Sequence, residues 1–150
     1  MAVTVSTYNH TATKLLNLGV DPQSANFFLE LLNSSATLVA THTTKSAVDN
    51  TGGYEVYGNG WTQGGENLEN VAVTTVTTND AKLDADDVQI TASGGSIGPA
   101  DAALVYVDED GGGTYTPLWF IDFGESKTAT VGNVFPVIWS ASGIAQVTVA

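Results

Sequence analysis

The sequence predicts an all-β protein: an antiparallel β-sandwich, jelly-roll-like, with one short N-terminal helix. Three observations lead there. From residue 54 onward apolar and polar residues alternate with a period close to two, in short runs rich in valine, threonine and aromatic residues. Clusters of Gly, Asn and Asp separate these runs, and no helical stretch intervenes, which removes the doubly wound parallel alternatives. The length, 150 residues, is that of one domain, long enough to bury a core without the disulfides that the absence of cysteine forbids.

Taken in order, "AVTVSTY" (2 to 8) alternates like a strand but precedes the helix, so residues 1–9 are expected as an N-terminal arm on a single domain spanning 10–150. Such an arm could add to a neighbour's sheet edge; the plainer reading is a terminus that frays or pairs within its own chain. "HTATKLLNL" (10 to 18) suits two helical turns, with Gly19 as the stop and "DPQS" (21 to 24) as the turn after it. It is the only helix expected. "NFFLELLNSSATL" (26 to 38) fits a helix face through Phe27, Phe28, Leu31 and Leu32, or a strand through Phe27, Leu29 and Leu31, and the strand is preferred.

Seven further strands are expected: 69–78, 86–92, 102–108, 115–124, 127–132, 134–140 and 143–150. Side chains at i and i+2 share a face, so Val71, Val73, Val88, Ile90, Leu104, Tyr106, Leu118, Phe120, Phe135, Val137 and Ile144 are expected in the core. "YEVYGNGWTQGGENLENVAV" (54 to 73) spends four glycines and three aromatic rings on twenty residues. A dinucleotide fingerprint would need a helix after the glycines, and here a threonine-and-valine strand follows. Gly58, Gly60, Gly64 and Gly65 are therefore expected to turn a tight corner, with Tyr57 and Trp61 packed beneath it.

Charge excludes several functions. Sixteen acidic residues face four lysines (Lys14, Lys45, Lys82, Lys127) and no arginine, a net charge of −12 that repels nucleic acid and anionic membranes. Only 13% of residues are charged, and a surface built from threonine suggests a periphery in contact with something else. The chain reads as soluble, with neither a membrane span nor a signal peptide.

Chemical constellations are sparse. His10 and His42 stand apart with no cysteine near them, so no zinc site is expected, and no G-x-S-x-G nucleophile elbow occurs. Asp84 with Asp122 is the candidate glycosidase pair. "VDEDGGGT" (107 to 114) sets Asp108 and Asp110 beside three glycines like a calcium loop but lacks its closing glutamate, and "KLDADDV" (82 to 88) groups Asp84, Asp86 and Asp87 before a strand. Both read more readily as solvated hairpin ends capped by aspartate. No catalytic residue, cofactor or metal is assigned.

The order of "YEVYGNGWTQGG" (54 to 65), "LENVAV" (68 to 73), "KLDADDVQITASG" (82 to 94), "PLWFIDFG" (117 to 124) and "WSASGIAQVTVA" (139 to 150) resembles a family of small virion structural proteins of tailed bacteriophages. The likeness covers about residues 54 to 150. The chain departs from it in lacking arginine and in the "DEDGGGTYT" hairpin. The resemblance implies a non-enzymatic β-sandwich made in the bacterial cytoplasm and carried on the outer surface of the virion. There it would act as a capsid decoration or cement protein, a homotrimer whose partner is the major capsid protein. The alternative is a carbohydrate-binding module of a tail or head fibre, using Trp61, Trp119 or Tyr115 as a stacking platform.

Overall fold

The computed structural model describes residues 2–17, 21, 26–77 and 80–148. Among these the elements run β1 (Thr4–Thr7), α1 (Thr11–Leu16), β2 (Asn26–Leu32), α2 (Lys45–Val48), β3 (Glu55–Val56), β4 (Glu66–Asn67), β5 (Ala72–Thr77), β6 (Asp80–Asp84), β7 (Val88–Thr91), β8 (Ile97–Asp108), β9 (Tyr115–Ala129), β10 (Val134–Val137) and β11 (Ala145–Val147). The protein is all-β. A six-stranded sheet runs β1-β9-β8-β2-β3, with β4 also paired to β2; β10 pairs β7, and β11-β6-β5 form a third sheet. Every pairing is antiparallel.

The preference for a strand at 26–38 is borne out over Asn26–Leu32, where β2 lies, while residues 33–38 belong to the connection that follows; the reason for the ambiguity is plain. Both faces of β2 are covered, so its apolar residues do not alternate with polar ones. Phe27, Leu29 and Leu31 join the main core, where the large sheet meets Leu83, Val88, Phe135, Val137 and Ile144 of the smaller sheets and their flanks. Leu32 points the other way, into a second core with Tyr8, Ala36, Val48, Leu104, Tyr106 and Phe120, against which Phe28 also packs. The connection 33–54, carrying α2, supplies Ala36 and Val48 to this second face.

Several expectations are corrected. The two strands expected at 115–124 and 127–132 are one strand, β9, which passes through Gly124 at a φ of 72°. The acidic segment expected as a hairpin end contributes strand β6, and α2 is a helix the sequence reading missed. Residues 4–7, within the expected arm, pair with β9 of their own chain, Val5 opposite Ile121 and Thr7 opposite Trp119. The Gly19 stop and most of the turn at 21–24 lie outside the described residues. Val73 is 48% exposed rather than core, while Val71 and Ile90 are half-buried. Leu118 and Phe120 are both buried, but on opposite faces. Val105 pairs with Trp119 and Tyr106 with Pro117, so β9 carries one extra residue there; that bulge turns both Leu118 and Trp119 toward the main core.

The glycine corner is as expected. Gly58, Gly60, Gly64 and Gly65 all have positive φ, and at two of them space forbids a side chain as well. A Cβ on Gly60 would lie 2.7 Å from the carbonyl oxygen of Thr91, and one on Gly65 would lie 2.6 Å from that of Leu29. Trp61 packs beneath, edge-on to Phe135 at 5.6 Å between ring centroids. Tyr57 does not: it is 51% exposed.

Candidate functional site

Glu30 is the one charged residue in the run "NFFLELL", and strand periodicity places it between Phe28 and Leu32 on the face covered by residues 33–54. Its side chain is fully buried. A carboxylate there needs a partner, because burying an unpaired charge costs several kcal/mol. Lys45, at the start of α2, supplies it: Nζ lies 2.7 Å from Glu30 Oε1 and 2.5 Å from Asp49 Oδ2 one helical turn on. The ammonium also stands 5.3 Å from the centroid of the Tyr106 ring, which stacks on Phe28.

The electrostatics follow from this geometry. Burial pushes the Glu30 carboxyl up to about 7; the bond to Lys45 works against that rise, while the charges of Asp49 and Glu55 add to it. For Lys45 burial disfavours the ammonium, but the bonds to Asp49 and Glu30 outweigh it and raise its pKa. One oxygen of each acid, Glu30 Oε2 and Asp49 Oδ1, is buried with no hydrogen-bond partner. Glu30 can hold a proton near neutral pH, yet it is sealed in the core.

Asp49 and Lys45 also line an open cavity of about 720 Å³. Its walls are the segment 43–55, the glycine corner at Gln63 and Gly64, and the base of the β8–β9 hairpin at Thr114 and Tyr115. Glu55 Oε1 accepts the Gly64 N–H and Tyr106 Oη donates to the Gly64 carbonyl, so the corner is tied to the same cluster. Asn50 and Thr51, just after α2, hold φ values of 51° and 56°; for a β-branched threonine that is a strained backbone position at the cavity wall. Tyr115 is 43% exposed and meets Tyr106 edge-on at 5.4 Å.

A second, apolar groove of about 590 Å³ opens between β1 and β10, lined by Val3, Val5, Phe123, Val134 and Ile138 among others. Among the described residues β1 pairs on one side only, with β9, and its outer edge borders this groove. No residue from 2 to 8 is charged, in contrast to the opposite end of the sheet, where the edge strands are only two residues long.

The residues singled out in the sequence do not assemble into a site. Asp84 pairs with Lys82 at 2.6 Å in the β6 sheet, while Asp122, on β9, accepts the Gly124 N–H and lines a hollow to which Asp84 does not contribute. In the hairpin Asp110 accepts from Gly112 N–H and the Thr114 hydroxyl, and Asp108 from Gly113 N–H, so these carboxylates cap the turn. His10 binds the Pro117 carbonyl through Nε2 at 2.7 Å. Among the described residues no group of three or more His, Asp or Glu side chains could hold a metal ion, and no helix is long and apolar enough to cross a membrane. Of the expected stacking rings, Trp61 and Trp119 are buried and only Tyr115 faces solvent.

Sequence reasoning missed Glu30, Lys45 and Asp49. Two signals were present: a lone acid inside an apolar strand, and a Lys and an Asp four residues apart in "KSAVD". What joins them is a tertiary contact across 15 residues of chain. No family model, no curated protein and no solved structure matches the chain.

Proposed function

We propose that this chain is a non-enzymatic structural protein of a tailed-bacteriophage virion, a decoration or cement protein that binds the outer face of the head as a homotrimer and stabilises the lattice of major capsid protein. The order of motifs from 54 to 150 is the basis of the family reading. The observation that supports an assembly role most is the β1 edge. An uncharged outer strand with Val5 exposed, and Val3 exposed just before it, beside an apolar groove is what a monomeric protein avoids and a lattice contact uses. The net charge of −12 suits the outside of a DNA-filled shell better than its inside.

The test is co-sedimentation of the purified protein with undecorated shells, together with its mass in solution and its copy number in purified virions. A trimer that saturates shells, at copy numbers near those of the major capsid protein, is expected. Val5→Lys, which charges the free edge without touching the buried core, is expected to weaken shell binding. A monomer that never binds shells overturns the reading.

A further inference from the structure

We propose that the outer edge of β1 docks one extended strand of a partner protein, in which apolar residues alternate with lysine or arginine. The inference rests on the assembly reading for the source of that strand, the major capsid protein; its chemistry is set by this chain.

The edge dictates an extended partner. Along an antiparallel strand successive residues turn their N–H and C=O groups to opposite sides. Tyr8 N–H donates to the Leu118 carbonyl at 3.2 Å, in phase with Thr4 and Ser6 opposite Asp122 and Phe120. The backbone groups of Val5 and Thr7 therefore point away from β9, and among the described residues no strand pairs with them. An added strand satisfies them with main-chain hydrogen bonds.

The two faces beside that edge differ, and the difference sets the partner's sequence. On the main-core side Val3 and Val5 stand exposed over the apolar groove with Phe123, Val134 and Ile138. Its one charged wall residue, Lys127, is paired with Glu125. On the opposite side Thr4 and Ser6 border a hollow of about 430 Å³ that holds Asp101 and Asp122 and no cation. These two carboxylates accept from the Ser126 hydroxyl and the Gly124 N–H, and all four lysines are committed elsewhere, to Glu109, Glu30, Asp84 and Glu125. Alternate side chains of an added strand fall on these two faces, so one set enters the groove and the other meets the carboxylates.

Charge also argues against a second copy as the occupant. Another chain of net charge −12, with no arginine and its lysines already paired, brings repulsion and no cation for the hollow.

The experiment is an amide chemical-shift titration of the isotopically labelled full chain at about 0.15 M salt, where long-range attraction is screened. The probes are three capped heptapeptides: lysine alternating with valine, glutamate alternating with valine, and the lysine–valine composition with its valines in one central block. Saturable shifts at Val5 and Thr7 are expected with the first peptide only. Val5→Pro removes an outward N–H and leaves those turned to β9, and is expected to raise the half-saturating concentration about fivefold. Asp101→Asn with Asp122→Asn keeps both acceptors without their charge and is expected to weaken binding about fivefold as well. Should Val5→Pro fail to fold, the paired asparagine variant decides. Equal binding of the block or glutamate peptide, shifts away from β1, or affinity unchanged by the variants each overturn the proposal. So do shifts at Val5 and Thr7 on concentrating the chain alone, which would put a second copy on the edge. Shells bound without capture of the lysine–valine peptide overturn this inference and leave the capsid reading; capture without shell binding supports it and overturns the capsid reading.

Discussion

One face of the six-stranded sheet meets the smaller sheets through a large apolar core, with Leu29, Val105, Trp119 and Ile121 among its side chains. The other face meets the connection 33–54, and there a buried Glu30–Lys45–Asp49 cluster sits beside Leu104, opposite Glu30 in the sheet, and the Tyr106 ring. The difference lies in what each partner offers. A sheet brings its own backbone satisfied and an alternating apolar row, so packing alone closes that interface. A loop with one helical turn has little apolar surface to give, and one ion pair with a second carboxylate fixes where it lies. Replacing such a cluster by apolar residues is often neutral, while removing one member is strongly destabilising, so its contribution is positional more than energetic.

Four outcomes would break or sharpen that comparison. Trp119→Ala on the apolar face and Lys45→Ala on the mixed face are each expected to cost about 3–5 kcal/mol near pH 7.5 in urea unfolding, by cavity formation in one case and by stranding two buried acids in the other. The two separate with pH: the Trp119→Ala loss stays constant down to pH 5, while that of Lys45→Ala shrinks as Glu30 takes up a proton. Losses that respond identically to pH would remove the distinction.

The second outcome isolates Glu30. Its folded pKa of about 7 lies above the ordinary 4.5, so the folded state binds the extra proton between these values. The corresponding stability is fully present below pH 4.5 and is lost as pH rises through 7, a swing of roughly 3 kcal/mol at most. Glu30→Gln carries no such proton, so the difference in stability between parent and variant should change across pH 4.5–7 and be flat above it. A difference independent of pH would place Glu30 in a wetter site than its burial indicates.

Gly65→Val comes third, because Gly65 packs its Cα on the backbone of Leu29, between the two faces. With φ at 96° and a Cβ forced against the Leu29 carbonyl, it is expected to cost about 1–3 kcal/mol. A melting temperature within a degree of the parent would disprove the close approach. The smallest effect is at Val73, which belongs to neither core; Val73→Thr is expected to stay within about 0.5 kcal/mol.

Much of the fold was legible because strand periodicity is local. "VFPVIWS" and "AALVYVD" declare strands as short runs of β-branched and aromatic residues, and the corner glycines declare positive φ by their crowding beside a tryptophan. Legibility failed where both faces of a strand are covered, as in β2, and where a bulge changes the phase, as at Leu118, because alternation then stops reporting which side is inside. The candidate site was the least legible part: its acids and its lysine are unremarkable in sequence and become a cluster only when α2 docks on β2.

By itself, then, the sequence determined the all-β class, the glycine corner and the strongly negative net charge, since each depends on nearest neighbours along the chain or on summed charge, which no folding can alter. Tertiary structure alone decided that β1 lies against β9 of its own chain, that Trp61 and Trp119 are core while Tyr115 is not, and that Glu30, Lys45 and Asp49 share one buried ammonium. These depend on which distant segments cover which face. That choice is made by the collective burial of apolar surface, and no local pattern in the chain encodes it.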